Sequence, residues 1–129
     1  METPRRILYV DDDPDSCEMM ATLLSLDCKQ CAVSTARTAG DALTAMSERA
    51  FDLYIFDLRM PVIDGLELCG RVRQQDSNVP IMIYSALAQT DDRDSAKRAG
   101  ADMFLVKPND IEVLPDVVRG LLGVDRAAN

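Results

Sequence analysis

The sequence has no tryptophan, only three tyrosines and three phenylalanines in 129 residues, and a shortage of basic charge. It also lacks any apolar run near the roughly 18 residues that a membrane-spanning helix requires. Each absence excludes something. Without tryptophan there is no intrinsic indole fluorescence to report on a binding event. Without a long apolar run there is no helical membrane span. The opening Met1 to Arg6 is polar and has no signal-peptide architecture, so a cytoplasmic location with no membrane contact is expected. Fourteen basic against 22 acidic residues leave a net charge of −8. Such a surface repels phosphate backbones, and no nucleic-acid binding by this chain is expected. Repeats, linkers and low-complexity stretches are absent too. At 47% hydrophobic and 28% charged, the composition suits one packed core, and the length suits a single domain over 1–129.

Four cysteines are present: Cys17, Cys28, Cys31 and Cys69. Cys28 and Cys31 have the C-x-x-C spacing of redox motifs, but those sit at helix N-termini. Here the pair falls at the end of a predicted helix and the start of a predicted strand. Two incidental reduced thiols are the expected reading in a cytosolic chain.

Five short apolar runs punctuate the chain: Ile7–Val10, Cys31–Thr35, Leu53–Phe56, Ile81–Tyr84 and Met103–Val106. Continuous apolar runs of this length predict strands covered on both faces, as in a parallel sheet. Between them lie stripes at helical spacing: Cys17, Met20 and Leu24; Ala39, Ala42, Leu43 and Met46; Leu66, Cys69 and Val72; Leu114, Val117, Val118, Leu121 and Leu122. Asp64-Gly65 can open the third helix and Gly100 can close the fourth. Gln89–Arg98 has few apolar anchors and predicts a weakly held fourth helix. Pro115 either begins the last helix or kinks a longer one. The tail from Asp125 to Asn129 is expected to fray. Alternating strands and helices predict an α/β fold with right-handed crossovers, the leading candidate being the flavodoxin-like order 2-1-3-4-5.

Polar residues stand immediately after four of the five predicted strands. Asp11, Asp12 and Asp13 follow the first, Asp57 the third, Ser85 the fourth and Lys107 the fifth. The carboxyl edge of an open α/β sheet is where ligands bind, and in this order the first and third strands are neighbours. Asp11, Asp12 and Asp57 would then meet in one cleft. Clustered carboxylates repel, and a hard divalent cation that also takes phosphate oxygens resolves the repulsion. Lys107 offers a point charge for those oxygens, and Ser85 a neutral donor. A free Asp57 carboxylate can act as a nucleophile toward phosphorus. Asp13, before Pro14, and Asp64 are better read as helix caps.

These motifs resemble the receiver domain of the response-regulator family of two-component signalling. The resemblance spans residues 5 to about 123. It rests on Ile7-Leu-Tyr-Val-Asp11-Asp12-Asp13-Pro14, Asp57-Leu-Arg-Met-Pro61 with Asp64-Gly65, Ile83-Tyr-Ser85-Ala86, and Phe104-Leu-Val-Lys107-Pro108. It implies that Asp57 is the phosphoacceptor. It implies that Asp12, Asp57 and the backbone carbonyl of Arg59 hold Mg²⁺, or Mn²⁺, with Asp11 acting partly through water. Ser85 and Lys107 would contact the phosphoryl oxygens. Ser85 and Phe104 would form the switch, changing the surface of the fourth helix, fifth strand and fifth helix. The donor would be a sensor histidine kinase or a histidine phosphotransfer domain, and the reader an unknown downstream protein. Self-phosphorylation and slow autodephosphorylation would be the only catalysis. The Lys107-Pro108 peptide is expected to be cis.

Two positions depart from simple expectation. Arg59 and Leu87 would flank the path of the hydrolytic water, and Arg59 could instead neutralise the acidic cleft. Two other readings remain. A haloacid-dehalogenase-like phosphatase would use Asp11 as nucleophile, matching Asp11 and Asp13 but leaving Asp57-Leu-Arg-Met-Pro61 unexplained. A receiver-like scaffold that binds without phosphorylation would not need the full set of side chains.

Overall fold

The computed structural model describes residues 3–86 and 91–126. Its elements alternate as β1 (Arg5–Val10), α1 (Pro14–Asp27), β2 (Cys31–Ala36), α2 (Ala39–Glu48), β3 (Leu53–Phe56), α3 (Gly65–Gln75), β4 (Ile81–Ser85), α4 (Asp92–Ala99), β5 (Met103–Val106) and α5 (Leu114–Leu122). The five strands form one parallel sheet in the order β2-β1-β3-β4-β5, as the alternation predicted. No helix among the described residues is long and apolar enough to cross a membrane.

Strand alternation divides the core into two layers. On β1, Leu8 and Val10 face one layer and Ile7 and Tyr9 the other. On β3, Tyr54 and Phe56 join the first while Leu53 and Ile55 join the second. The first layer is closed by Ala39 and Ala42 of α2, Leu68, Cys69 and Val72 of α3, and Ala96 of α4. The second is closed by Cys17, Met20 and Leu24 of α1 and by Leu114, Val118 and Leu122 of α5. The pattern underrated Leu68, which is buried, and overrated Leu66, which is half-buried.

The helix ends follow local chemistry. Asp13 caps α1 by accepting from the Asp15 amide, Thr38 caps α2 through the Asp41 amide, and Asp64 caps α3 through the Glu67 amide. Gly65 is obligatory for a different reason. A Cβ there would lie 2.3 Å from the Asp57 carbonyl oxygen, so only glycine lets α3 start against the end of β3. Pro115 lies in the first turn of α5 and kinks nothing, because turns over 107–113 keep the helix from starting earlier.

Two expectations are revised. Cys28 and Cys31 are not separate thiols: they are joined as a disulfide, with a Cα–Cα separation of 5.4 Å. Cys28 leaves α1 in an extended conformation, and a turn in which the Cys31 amide donates to the Cys28 carbonyl brings the two residues together. Cys17 and Cys69 are free and buried. The fourth helix begins at Asp92, later than the pattern suggested, and Gln89 and Thr90 lie outside the described residues, as do 127–129 of the tail.

Candidate functional site

The sheet ladder runs one residue past β1, β3 and β5 and so fixes the backbone of the site. The Asp11 amide donates to Ala36 O at 3.0 Å, the Asp57 amide to Val10 O at 2.9 Å, and the Lys107 amide to Ser85 O at 3.0 Å. The cis Lys107-Pro108 peptide follows directly. Continuing the strand alternation by one residue puts Asp11 in phase with Tyr9, Asp57 with Ile55, and Lys107 with Leu105, all on the α1/α5 layer.

The side chains converge. Ligand-capable oxygens of Asp11, Asp12 and Asp57 lie within 4.8 Å of one another. The Ser85 hydroxyl donates to Asp57 Oδ1 at 2.5 Å. The Lys107 ammonium donates to Asp11 Oδ2 and lies 3.5 Å from Asp57 Oδ2. Asp11 is nearly inaccessible, and both its oxygens are engaged. Oδ1 accepts from the Asp13 amide at 3.0 Å, and Oδ2 accepts from the Tyr9 hydroxyl at 2.8 Å as well as from Lys107. Asp12 is exposed. Phe104 is buried in the other layer under Arg93, whose guanidinium lies 5.2 Å from the ring centre and donates to Phe104 O at 3.3 Å.

Electrostatics separate the two inner carboxylates. Burial pushes the Asp57 carboxyl above its ordinary value, against the Ser85 hydrogen bond and the Lys107 charge. Burial acts on Asp11 in the same sense, but Lys107, the Asp13 amide and the Tyr9 hydroxyl outweigh it and hold that carboxyl below its ordinary value. The Tyr9 hydroxyl is pushed upward by burial and then by Asp11, so it remains a donor throughout the physiological range. Lys107 is raised by its two carboxylates in spite of burial. Two unit charges at these separations repel by about 3–4 kcal/mol at an effective dielectric near 20. Three carboxylates and one ammonium leave two negative charges in the pocket, which a divalent cation with oxygen ligands matches. The donor set fits Mg²⁺ or Mn²⁺: Asp11, Asp12 and Asp57 are the residues able to hold it.

Arg59 does not neutralise this pocket. Its guanidinium instead donates to both carboxylate oxygens of Asp92, each at 2.9 Å, and ties the β3–α3 loop to the first turn of α4. The reason is direction: Arg59 lies beyond the sheet edge on the α4 side, where Asp92 presents a nearly buried carboxylate. Leu87 lies outside the described residues. Asp13 and Asp64 act as caps. Two features escaped sequence reasoning. Tyr9 reads as one more apolar strand residue, and only the parity of β1 could have suggested that its hydroxyl meets Asp11. Val62 is fully exposed and has φ 69°, unusual for a β-branched residue, in the loop beside the pocket.

A parallel sheet in this order, with carboxylates, a hydroxyl and a lysine gathered at its carboxyl edge, defines a class of signalling domain. The sequence profile of the response regulator receiver domain matches residues 7–119, and the chain belongs to that family. It is 37% identical to the transcriptional regulatory protein PrrA of Mycobacterium tuberculosis over 120 residues, 93% of this chain and 51% of that protein. The chain thus spans about half the length of the curated relatives it matches. Among solved structures, the chemotaxis protein CheY4 of Vibrio cholerae superposes with a TM-score of 0.84 at 29% identity, covering 93% of this chain and 100% of that one. The response regulator TrrA of Thermotoga maritima, solved in complex with Mg²⁺-BeF, superposes with a TM-score of 0.80 at 31% identity, covering 92% and 99%. These comparisons give no support to the phosphatase alternative.

Proposed function

We propose that this chain is a single receiver unit, with a core over about 5–123, that accepts a phosphoryl group on Asp57. The donor is a phosphohistidine on a sensor kinase or a histidine phosphotransfer domain. The chain contains no histidine, so the donor imidazole comes from another protein or from sequence outside these 129 residues. The observation that carries the reading is the surrounding of Asp57: Ser85 on one oxygen, Lys107 3.5 Å from the other, and Asp11 and Asp12 beside it.

An Asp57 oxygen forms a bond to phosphorus as the P–N bond of phosphohistidine breaks. The bonding pair leaves with the imidazole nitrogen, which takes a proton from solvent. Lys107 meets the charge on the equatorial oxygens, where a preplaced cation lowers the barrier most. Ser85 turns its hydroxyl from Asp57 Oδ1 to a phosphoryl oxygen. Asp11, Asp12, Asp57 and the Arg59 carbonyl would hold Mg²⁺, or Mn²⁺ in its place, which would supply charge neutralisation for the phosphoryl oxygens. The pull on Ser85 then repositions Phe104 and alters the surface of α4, β5 and α5 for a downstream partner. Turnover is limited to self-phosphorylation and slow hydrolysis of the acyl phosphate, in the cytoplasm.

Acetyl phosphate with Mg²⁺ should label Asp57 alone, and omission of the metal should abolish labelling. Mass mapping of the acyl phosphate to Asp11 would overturn the assignment in favour of phosphatase-like chemistry.

A further inference from the structure

The Asp11 carboxylate is held by a cation that its own function calls away. Lys107 donates to Asp11 Oδ2 and lies 3.5 Å from Asp57 Oδ2, so it sits between two acceptors. A phosphoryl group on Asp57 offers a third, more strongly charged one. As Lys107 turns to it, Asp11 Oδ2 loses its cation while remaining buried. The other donor on that oxygen is the Tyr9 hydroxyl, at 2.8 Å. Tyr9 cannot follow the phosphoryl group. Its ring is fully buried in the layer built from Met20, Leu24, Ile55 and Tyr84, on a strand paired on both sides.

We infer that Tyr9 is a positioning residue for Asp11: its hydroxyl is the fixed donor on Oδ2, as the Asp13 amide is on Oδ1, and it keeps that oxygen of the carboxylate oriented when Lys107 moves to the phosphoryl group. Two physical points support this. A buried carboxylate oxygen stripped of its donors carries a full desolvation penalty, so one permanent donor matters more than its average strength suggests. Residues that orient a metal-holding carboxylate without touching the metal typically change metal affinity by about 10–100-fold when removed. The spacing also follows from the strand. Residues two apart on β1 point the same way, so an aromatic hydroxyl at position 9 reaches the carboxylate at position 11 from beneath.

The inference rests on the metal-site reading above, and the test separates the two. Tyr9→Phe deletes one oxygen and keeps the ring, so the core packing is preserved. Mg²⁺ affinity is measured by calorimetry for the parent, Tyr9→Phe, Lys107→Ala and the double variant. The expected result is about a 10-fold weaker affinity in Tyr9→Phe. A larger loss is expected when the same change is made in the Lys107→Ala background, where no cation shares Asp11 Oδ2. A packing role alone would give the same ratio in both backgrounds, since independent effects add. Thermal melts in EDTA identify any variant that fails to fold, and Mn²⁺ titration followed by electron paramagnetic resonance repeats the comparison at lower protein concentration. Equal Mg²⁺ affinities in parent and Tyr9→Phe, or equal ratios in the two backgrounds, overturn the role of Tyr9 and leave the metal site intact. A parent protein that binds no Mg²⁺ overturns both.

Discussion

Asp57 carries a charge that the metal-free fold disfavours, and the sign of that effect makes a test. Burial raises its pKa above the ordinary 3.8. An acid raised by folding loses native stability as pH climbs from the unfolded pKa through the folded one, and the whole penalty is present above both. At pH 7 Asp57→Asn should therefore stabilise the metal-free protein, since the amide keeps an acceptor for Ser85 and drops the charge. The gain should fade as the solution is acidified below the folded pKa. Thermal melts in EDTA read this directly, and a variant less stable than the parent at pH 7 would contradict it. The same residue scale shows what could be read without coordinates. Asp11, Asp12, Asp57, Ser85 and Lys107 were legible because each follows an apolar run, and strand ends share an edge once the sheet order is guessed. Tyr9 and Asp92 were not. The hydroxyl of Tyr9 is hidden inside a run that scores as core. The partner of Arg59 lies 33 positions away on a helix with no apolar stripe to announce it.

Helices and strands were legible where burial sets the period and illegible where polar contacts do the holding. β3 and β5 begin and end where their apolar runs do. β1 instead reaches back to Arg5, because pairing of Arg5 with Cys31 is a backbone matter that side-chain polarity does not reveal. α4 is the extreme case. It buries only Asp92 and Ala96, so its position depends on charged groups at both ends. At the front, Arg59 grips Asp92. At the back, Arg73 donates to Gly100 O through Nε at 3.0 Å and through its terminal nitrogen at 2.8 Å, and also to Val79 O and to Asp102. Gly100 has φ 112°, and a Cβ there would lie 2.7 Å from Arg73 Cγ. Gly100→Ala should therefore cost about 1–2 kcal/mol from the left-handed backbone alone, with a further loss as Arg73 is displaced. A urea midpoint equal to the parent's would refute that account. Arg59→Ala should act at the other end. The arginine is half-exposed, so the global loss should be about 1 kcal/mol or less. The local effect should be larger: amide exchange across Asp92–Ala99 should quicken while Ile81–Ser85 is unchanged. Equal exchange in α4 of parent and variant would show that the ion pair is not what holds the helix.

On the scale of the whole molecule, the question is which part could move if Asp57 is modified as proposed. The sheet cannot move cheaply. β3 and β4 are buried throughout, β1 over Ile7–Val10, and side chains from both layers lock them. α1 is held by Cys17, Met20 and Leu24, and α5 by Leu114, Pro115, Val118 and Leu122. α2 fully buries only Ala39 and Ala42 but adds half-buried Leu43 and Met46, whereas α4 has one buried carboxylate and one buried alanine, with half-buried Ala99 beside them. Most helical stability in proteins comes from packing an apolar face, and segments without one occupy the low end of local stability. α4 is also tied to the site by two routes. Arg59 leads from the loop after Asp57 to Asp92, and Arg93 leads from α4 to the ring and carbonyl of Phe104. A displacement of Ser85 or of the β3–α3 loop is thus delivered to the element least able to resist it. Before activation, amide exchange should be faster in Asp92–Ala99 than in Ile81–Ser85. Beryllium fluoride with Mg²⁺ should then change exchange in α4 and around Phe104, and leave β1 and β3 as they were. Lys107→Ala should fold normally and lose this response, because on the proposed reading the ammonium would link β5 to the phosphoryl oxygens. Exchange in α4 as slow as in β4 before activation, or a full response in Lys107→Ala, would mean that the signal leaves the site by another path.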